Sequence, residues 1–154
     1  MTYVIRILCR SDARLSVGFI ADFLRDGVYF DVPPAIEAEP SSDAASEFER
    51  IEIQYDQHKR PLIITSAVGE EVRQEIEDIN EIARRSGISK HLLQRIEATR
   101  QIVAIEVDRE RLTEDAWTFC DCIETAIASK SDGVIFVPDD GIYDLKLQLI
   151  ERLS

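Results

Sequence analysis

The sequence predicts an α+β protein in which mostly antiparallel strands form a sheet with helices on one face. Three observations carry this expectation. Short apolar runs rich in Val and Ile alternate with longer stretches whose apolar residues recur every three to four positions. Two strand-like runs, residues 51–55 and 61–67, follow one another across a five-residue turn, the pattern of a hairpin. The length of 154 residues, 45% hydrophobic and 31% charged, suits a single domain over residues 1–154 with one core.

Each element has its own warrant. Residues 3–9 (YVIRILC) are a β-forming run and read as a buried strand. Ser11 or Asp12 can cap a helix over 13–26, with Leu15, Phe19 and Phe23 in one stripe and Gly27 as its left-handed stop. Residues 28–32 (VYFDV) read as a short strand. Pro33, Pro34 and Pro40, with Ser41 and Ser42, make about 33–46 a loop-rich excursion without periodicity. Ile51, Ile53 and Tyr55 then alternate with Glu52, Gln54 and Asp56, a half-buried strand, and residues 61–67 return antiparallel to it.

Over 70–86, Val72, Ile76, Ile79 and Ala83 share one helical face; acids open the helix, and Arg84 and Arg85 close it. Ser89 caps a short helix through Leu92, Leu93 and Ile96. Residues 101–107 (QIVAIEV) form a strand, and Thr113 starts a helix that buries Trp117, Cys120, Ile123 and Ile127. A strand at 134–137 precedes the turn Pro138-Asp139-Asp140-Gly141. The tail 145–153 fits a helix through Leu145, Leu149 and Leu153, and a strand through Leu145, Leu147 and Leu149. The order β-α-β-β-α, a short helix, then β-α-β matches a ferredoxin-like (split βαβ) sheet extended by an extra αβ unit. An open α/β sheet, with the hairpin as an edge feature, is the alternative.

Eighteen Lys+Arg against 30 Asp+Glu leave a net charge of −12. Such a field repels phosphate, so nucleic acid is not an expected partner. The excess is uneven: residues 31–60 hold 3 bases and 8 acids, residues 101–154 hold 5 and 12, and the rest is nearly neutral. The plain reading is a solubilising surface; the sharper one is a surface that draws a basic protein partner by long-range steering. No apolar run approaches the roughly 20 residues of a bilayer span, so no membrane is expected either. The first ten residues lack a basic region, and Arg6 splits their apolar stretch, which disfavours a signal peptide. Three cysteines, an odd number, argue against a disulfide framework and for a reducing cytoplasm.

Four constellations bear on chemistry. Cys9-Arg10-Ser11-Asp12-Ala13-Arg14 lies between a strand and a helix, where a phosphate-cradling loop with a thiolate would sit. Its Cys-to-Arg spacing is one residue short for that loop and it lacks glycine, so Cys9 reads as a small buried residue. Cys120 and Cys122 point about 200° apart on a helix and cannot share a metal there. His58 in the hairpin turn or His91 at the start of the short helix could serve as a general base, but isolated histidines in such places read as exposed. Asp132, Asp139, Asp140 and Asp144 gather near the last strand, but without the spacing of a calcium loop. The six glycines form neither nucleotide-binding fingerprint, so no cofactor, no metal and no catalytic residue is expected.

Trp117 to Cys122, Asp132-Gly133-Val134 and Asp140-Gly141-Ile142-Tyr143-Asp144 together resemble the C-terminal part of bacterial α+β families known only as domains of unknown function. The resemblance covers about the last third of the chain, transfers no catalytic residue, and implies an α+β fold in a bacterial cytoplasm. The expected role is a non-enzymatic protein-binding or regulatory module with an acidic surface, with homodimerisation through a sheet face or edge as one form of partnering. The alternative is a small-ligand-binding protein or enzyme whose strand-end polar groups, Arg10, Arg14, Asp139, Asp140 and Tyr143, bind the ligand.

Overall fold

Apolar alternation and turn chemistry build the strands of the structure, a computed structural model that describes residues 2–138, 140–144 and 146–153. Among the described residues the elements run β1 (Thr2–Cys9), α1 (Val17–Gly27), β2 (Ala35–Glu39), β3 (Arg50–Gln54), β4 (Leu62–Val68), α2 (Glu70–Arg85) and α3 (Lys90–Glu97). They continue with β5 (Gln101–Asp108), α4 (Glu114–Ser131), β6 (Gly133–Val137), β7 (Gly141–Tyr143) and β8 (Leu149–Arg152). The strands are hydrogen-bonded in the order β2-β3-β4-β5-β1-β6-β7-β8 as one antiparallel sheet. The protein is therefore α+β, with the β3–β4 hairpin, α2, α3, β5, α4 and β6 close to their sequence-predicted positions. No helix among the described residues is long and apolar enough to cross a membrane.

The chain divides into two compact units, each assembled from separate stretches. Unit 1 comprises residues 2–4, Arg14–Ser66 and Ala104–Ile123; unit 2 comprises Ile5–Ala13, Ala67–Val103 and the described residues from 124 onward.

Unit 1 departs from the sequence reading in three places. The run 28–32 is not a strand; Val28, at φ 48°, is the left-handed residue that closes α1, while Tyr29 and Phe30 turn into an aromatic cluster. Gly27 serves space rather than φ, because a Cβ there would lie 2.1 Å from the Tyr29 ring. The 33–46 segment is not wholly loop, since it contains β2. Ile36 and Ala38 face Ile53 and Ile51 across the β2–β3 ladder, and that alternation was hidden by the flanking prolines. Finally, α1 starts at Val17, capped by Ser16, whose hydroxyl accepts from the Phe19 amide at 3.1 Å. The remaining excursion completes that cap: the carbonyls of Ser46 and Ala44 accept the Val17 and Gly18 amides at 2.8 and 2.9 Å.

In unit 2 helices lie on both faces of the strands, which corrects the one-face expectation. Leu8, Ile102, Val134 and Phe136 share a buried cluster with Val72, Ile76 and Ile79 of α2 and Leu92 and Ile96 of α3. Ile7 and Gly133 face the opposite way, where a Cβ on Gly133 would lie 3.3 Å from Ala128 of α4. All five residues of β6 are accordingly buried. Continuous apolar runs, rather than alternation, mark strands covered on both sides.

The tail is a strand, β8, antiparallel to β7. Asp144 makes the turn before it, its Oδ1 accepting the Lys146 and Gln148 amides at 2.8 and 3.0 Å. Gly141, the last residue of the predicted turn, provides room: a Cβ there would meet Leu149 Cδ1 at 2.5 Å and the Glu151 carbonyl at 2.8 Å. Gly141→Val should cost about 1–3 kcal/mol by overpacking. In hydrogen exchange, the Leu153 amide, bonded to the Asp140 carbonyl at 2.9 Å, should lose protection while β1 keeps its own. Equal loss in both would show that β8 does not dock on Gly141.

Candidate functional site

The strand-end residues singled out from the sequence are spread over both units. In unit 2, Arg10 forms a two-point ion pair with Asp132, Nε and Nη2 donating to the carboxylate at 2.8 and 3.0 Å. The hydrogen bond and charge of Arg10 hold the Asp132 carboxyl below its ordinary range. Arg95 donates from Nη2 to the Asp132 carbonyl at 2.5 Å. Burial, with Arg10 adding repulsion, lowers the Arg95 guanidinium from its ordinary value. These contacts clasp Asp132, which sits at φ 55° between α4 and β6. The proposed phosphate cradle has no amides to offer at its start, since those of Arg10 and Ser11 already donate to the Asp132 and Ser131 carbonyls. Gln101, fully buried, holds the same loop through Ser11 and Ala13 carbonyls at 3.2 and 3.1 Å.

Cys9 is fully buried, and burial pushes its thiol up to about 12, against a smaller opposing effect from Ser131. A thiol of that basicity is no nucleophile near neutrality. The folded state keeps this proton longer than the unfolded chain, so the thiol's contribution to stability is intact below pH 9 and is lost as pH rises from about 9 toward 12. Cys120 is also buried and Cys122 half-buried, as the helix spacing predicts. Alkylation at pH 8 should therefore modify Cys122 first and leave Cys9 intact until the protein unfolds. Rapid native-state labelling of Cys9, read by mass spectrometry of peptides, would contradict this burial.

Arg14, in unit 1, donates from Nη2 to the carbonyls of Phe48 and Ser66 at 3.1 and 3.0 Å, joining the start of β3 to the end of β4. In unit 2, the Tyr143 hydroxyl donates to Asp140 Oδ1 at 2.8 Å, so these two residues brace the β6–β7 turn. Asp139 lies outside the described residues. His58 and His91 are exposed. Among the described residues no group of three or more His, Cys, Asp or Glu is placed to hold a metal ion. Trp117, expected inside, is half-buried, and Phe119 two positions on is the buried aromatic of α4.

The acidic segment 31–60 shares unit 1 with the first part of the second one, Ala104–Ile123. Unit 1 holds 16 acids and 7 bases, and so carries most of the net charge of −12. On one side of its strands, Glu37 of β2 stands directly opposite Glu52 of β3, and Glu39 opposite Arg50. Arg50 is hydrogen-bonded to Glu52, and that bond, with the fields of Glu52, Glu39 and Glu106 of β5, raises its guanidinium above the ordinary value. Three carboxylates, Glu39, Glu52 and Glu106, thus act on one arginine, and Glu37 stands opposite Glu52 beside them. Glu37 and Glu39 are exposed; Arg50, Glu52, Thr65 and Glu106 are half-buried. Comparison of the chain with known protein families, curated proteins and solved structures finds no match.

Proposed function

We propose that the protein is a non-enzymatic binding module whose acidic face in unit 1 receives a basic protein partner. One observation supports this above the others: the carboxylates are not confined to the edge strand. Charged residues on an edge strand blunt unwanted pairing, and Glu37 and Glu39 of β2 would suffice for that. Glu52 and Glu106 lie on the interior strands β3 and β5, half-buried, where edge protection does not require them. Like charges directly opposite one another on a ladder are destabilising, and Arg50, bonded to Glu52, offsets the Glu37–Glu52 repulsion only in part, so a further cation is favoured there. The same carboxylates repel a second copy on this face and repel nucleic-acid phosphate. The odd number of cysteines fits a reducing cytoplasm.

The central strands β4-β5-β1-β6 support a ferredoxin-like reading of the fold. In this reading β1-α1-β4 and β5-α4-β6 are the two split units. The β2–β3 ribbon is inserted before β4, and α2–α3 replaces the usual hairpin between β4 and β5.

Calorimetric titration with an oligo-lysine peptide tests the binding role. Binding should be saturable at 0.01 M salt, where the Debye length is about 30 Å, and should weaken strongly by 0.15 M, where it is about 8 Å. Absence of binding at low salt would refute the role.

A further inference from the structure

Unit 2 contains a polar cleft along α2. Gly69, Val72, Arg73, Ile76, Glu77 and Asn80 follow at steps of three and four residues and form one stripe of the helix. The opposite wall is the segment from Glu97 to Arg100, joined at one end by Asp12. The cleft has two parts, of about 590 and 350 Å³, which share Arg73, Glu97 and Thr99. The smaller part, which Asn80 lines, equals roughly a dozen liquid-water volumes and suits a ligand of about ten non-hydrogen atoms.

Its polar lining is incompletely used. Asn80 is only 6% exposed; its Nδ2 donates to Glu97 Oε1 at 3.4 Å, yet its Oδ1 accepts no hydrogen bond. The Thr99 hydroxyl, also buried, has no partner among the described residues. A buried polar atom left unpaired costs about 1–3 kcal/mol, and here two belong to residues that line one recess. Glu97, paired with Arg84 at 3.6 Å, adds a carboxylate to the acceptors at this end. At the other end, Arg73 is exposed and has no ion-pair partner among the described residues. Arg73 and Asn80 are separated by seven residues, about 10 Å along the helix, a span that the arginine side chain shortens.

We propose that this cleft binds a small zwitterion of the free amino acid or dipeptide class. Its carboxylate pairs with Arg73, and its N–H groups donate to Asn80 Oδ1 and Thr99 Oγ1. This site is independent of the acidic face of unit 1.

The test is an NMR titration of the full chain with L-glutamine and glycylglycine. Glycine betaine, a carboxylate without N–H donors, and propylamine, an amine without a carboxylate, are the controls. The zwitterions should give saturable shifts at the Asn80 side-chain amide and the Thr99 backbone amide, and the controls none. Arg73→Ala, at an exposed position that leaves the fold undisturbed, should weaken binding at least ten-fold, and Thr99→Val should weaken it less. Equal binding of betaine would overturn the proposal, as it would reveal a simple carboxylate contact. No saturable shift with either zwitterion would also overturn it.

Discussion

Phe119→Ala should lower stability by about 3–5 kcal/mol, a large part of the 5–15 kcal/mol that holds an ordinary domain. Phe119 is fully buried in α4 and meets three other rings of unit 1: Tyr29 edge-on at 5.4 Å, Phe30 at 6.1 Å and Phe23 at 6.2 Å. Phe30 continues the cluster to Tyr55 at 5.7 Å. Such ring pairs add to simple area burial, by about 0.5–1.5 kcal/mol each. Burial also raises the Tyr29 hydroxyl to about 12, with Cys122 beside it adding to the effect. In urea titrations the midpoint should fall without a change of slope. In alkaline titration of the folded variant, Tyr29 should ionise closer to the ordinary tyrosine value, because its cover is gone. A loss below about 1 kcal/mol would mean that the cluster does not anchor the segment after α1.

The second large effect concerns binding. Glu37→Gln, Glu39→Gln and Glu106→Gln together remove three of the four carboxylates of this face and leave Glu52, the partner of Arg50, in place. Exposed charge pairs are worth about 0.2–1 kcal/mol each, so the triple variant should bind oligo-lysine about ten-fold more weakly. Stability should hold or rise slightly, because the Glu37–Glu52 repulsion is relieved. Weaker binding together with a destabilised protein would instead assign these carboxylates a structural role. Unchanged binding would remove the face from the proposed function.

Particular residues show how far the sequence could be read. Helix α2 was legible because its apolar period, first-turn acids and last-turn arginines agree. The β3–β4 hairpin was legible because alternation survives on a strand with one wet face. Strand β2 was not, because Pro33, Pro34 and Pro40 surround a run of only five residues whose partner determines it. The run 28–32 misled in the opposite sense, since its aromatic residues pack as a cluster rather than extend. Helices on both faces of unit 2 were foreshadowed by the unbroken apolar run of β6. Charge counting by segment located the acidic face, but not that Glu106 joins Glu37, Glu39 and Glu52, which only folding brings about. Asn80 and Thr99 gave no signal, because an unpaired buried atom is a property of three-dimensional packing. Arg10, Arg14, Asp140 and Tyr143 were singled out for their chemistry, and each is engaged by a partner within the fold.

The most direct measurement of the binding role is a residue-resolved map. A ¹⁵N-labelled sample titrated with oligo-lysine at low salt should show saturable shifts centred on Glu37, Glu39, Glu52 and Glu106, and these should vanish in the triple glutamine variant. Shifts spread evenly over other exposed acids, such as Glu70 and Glu71 at the start of α2, would contradict it, leaving the charge with no role beyond solubility.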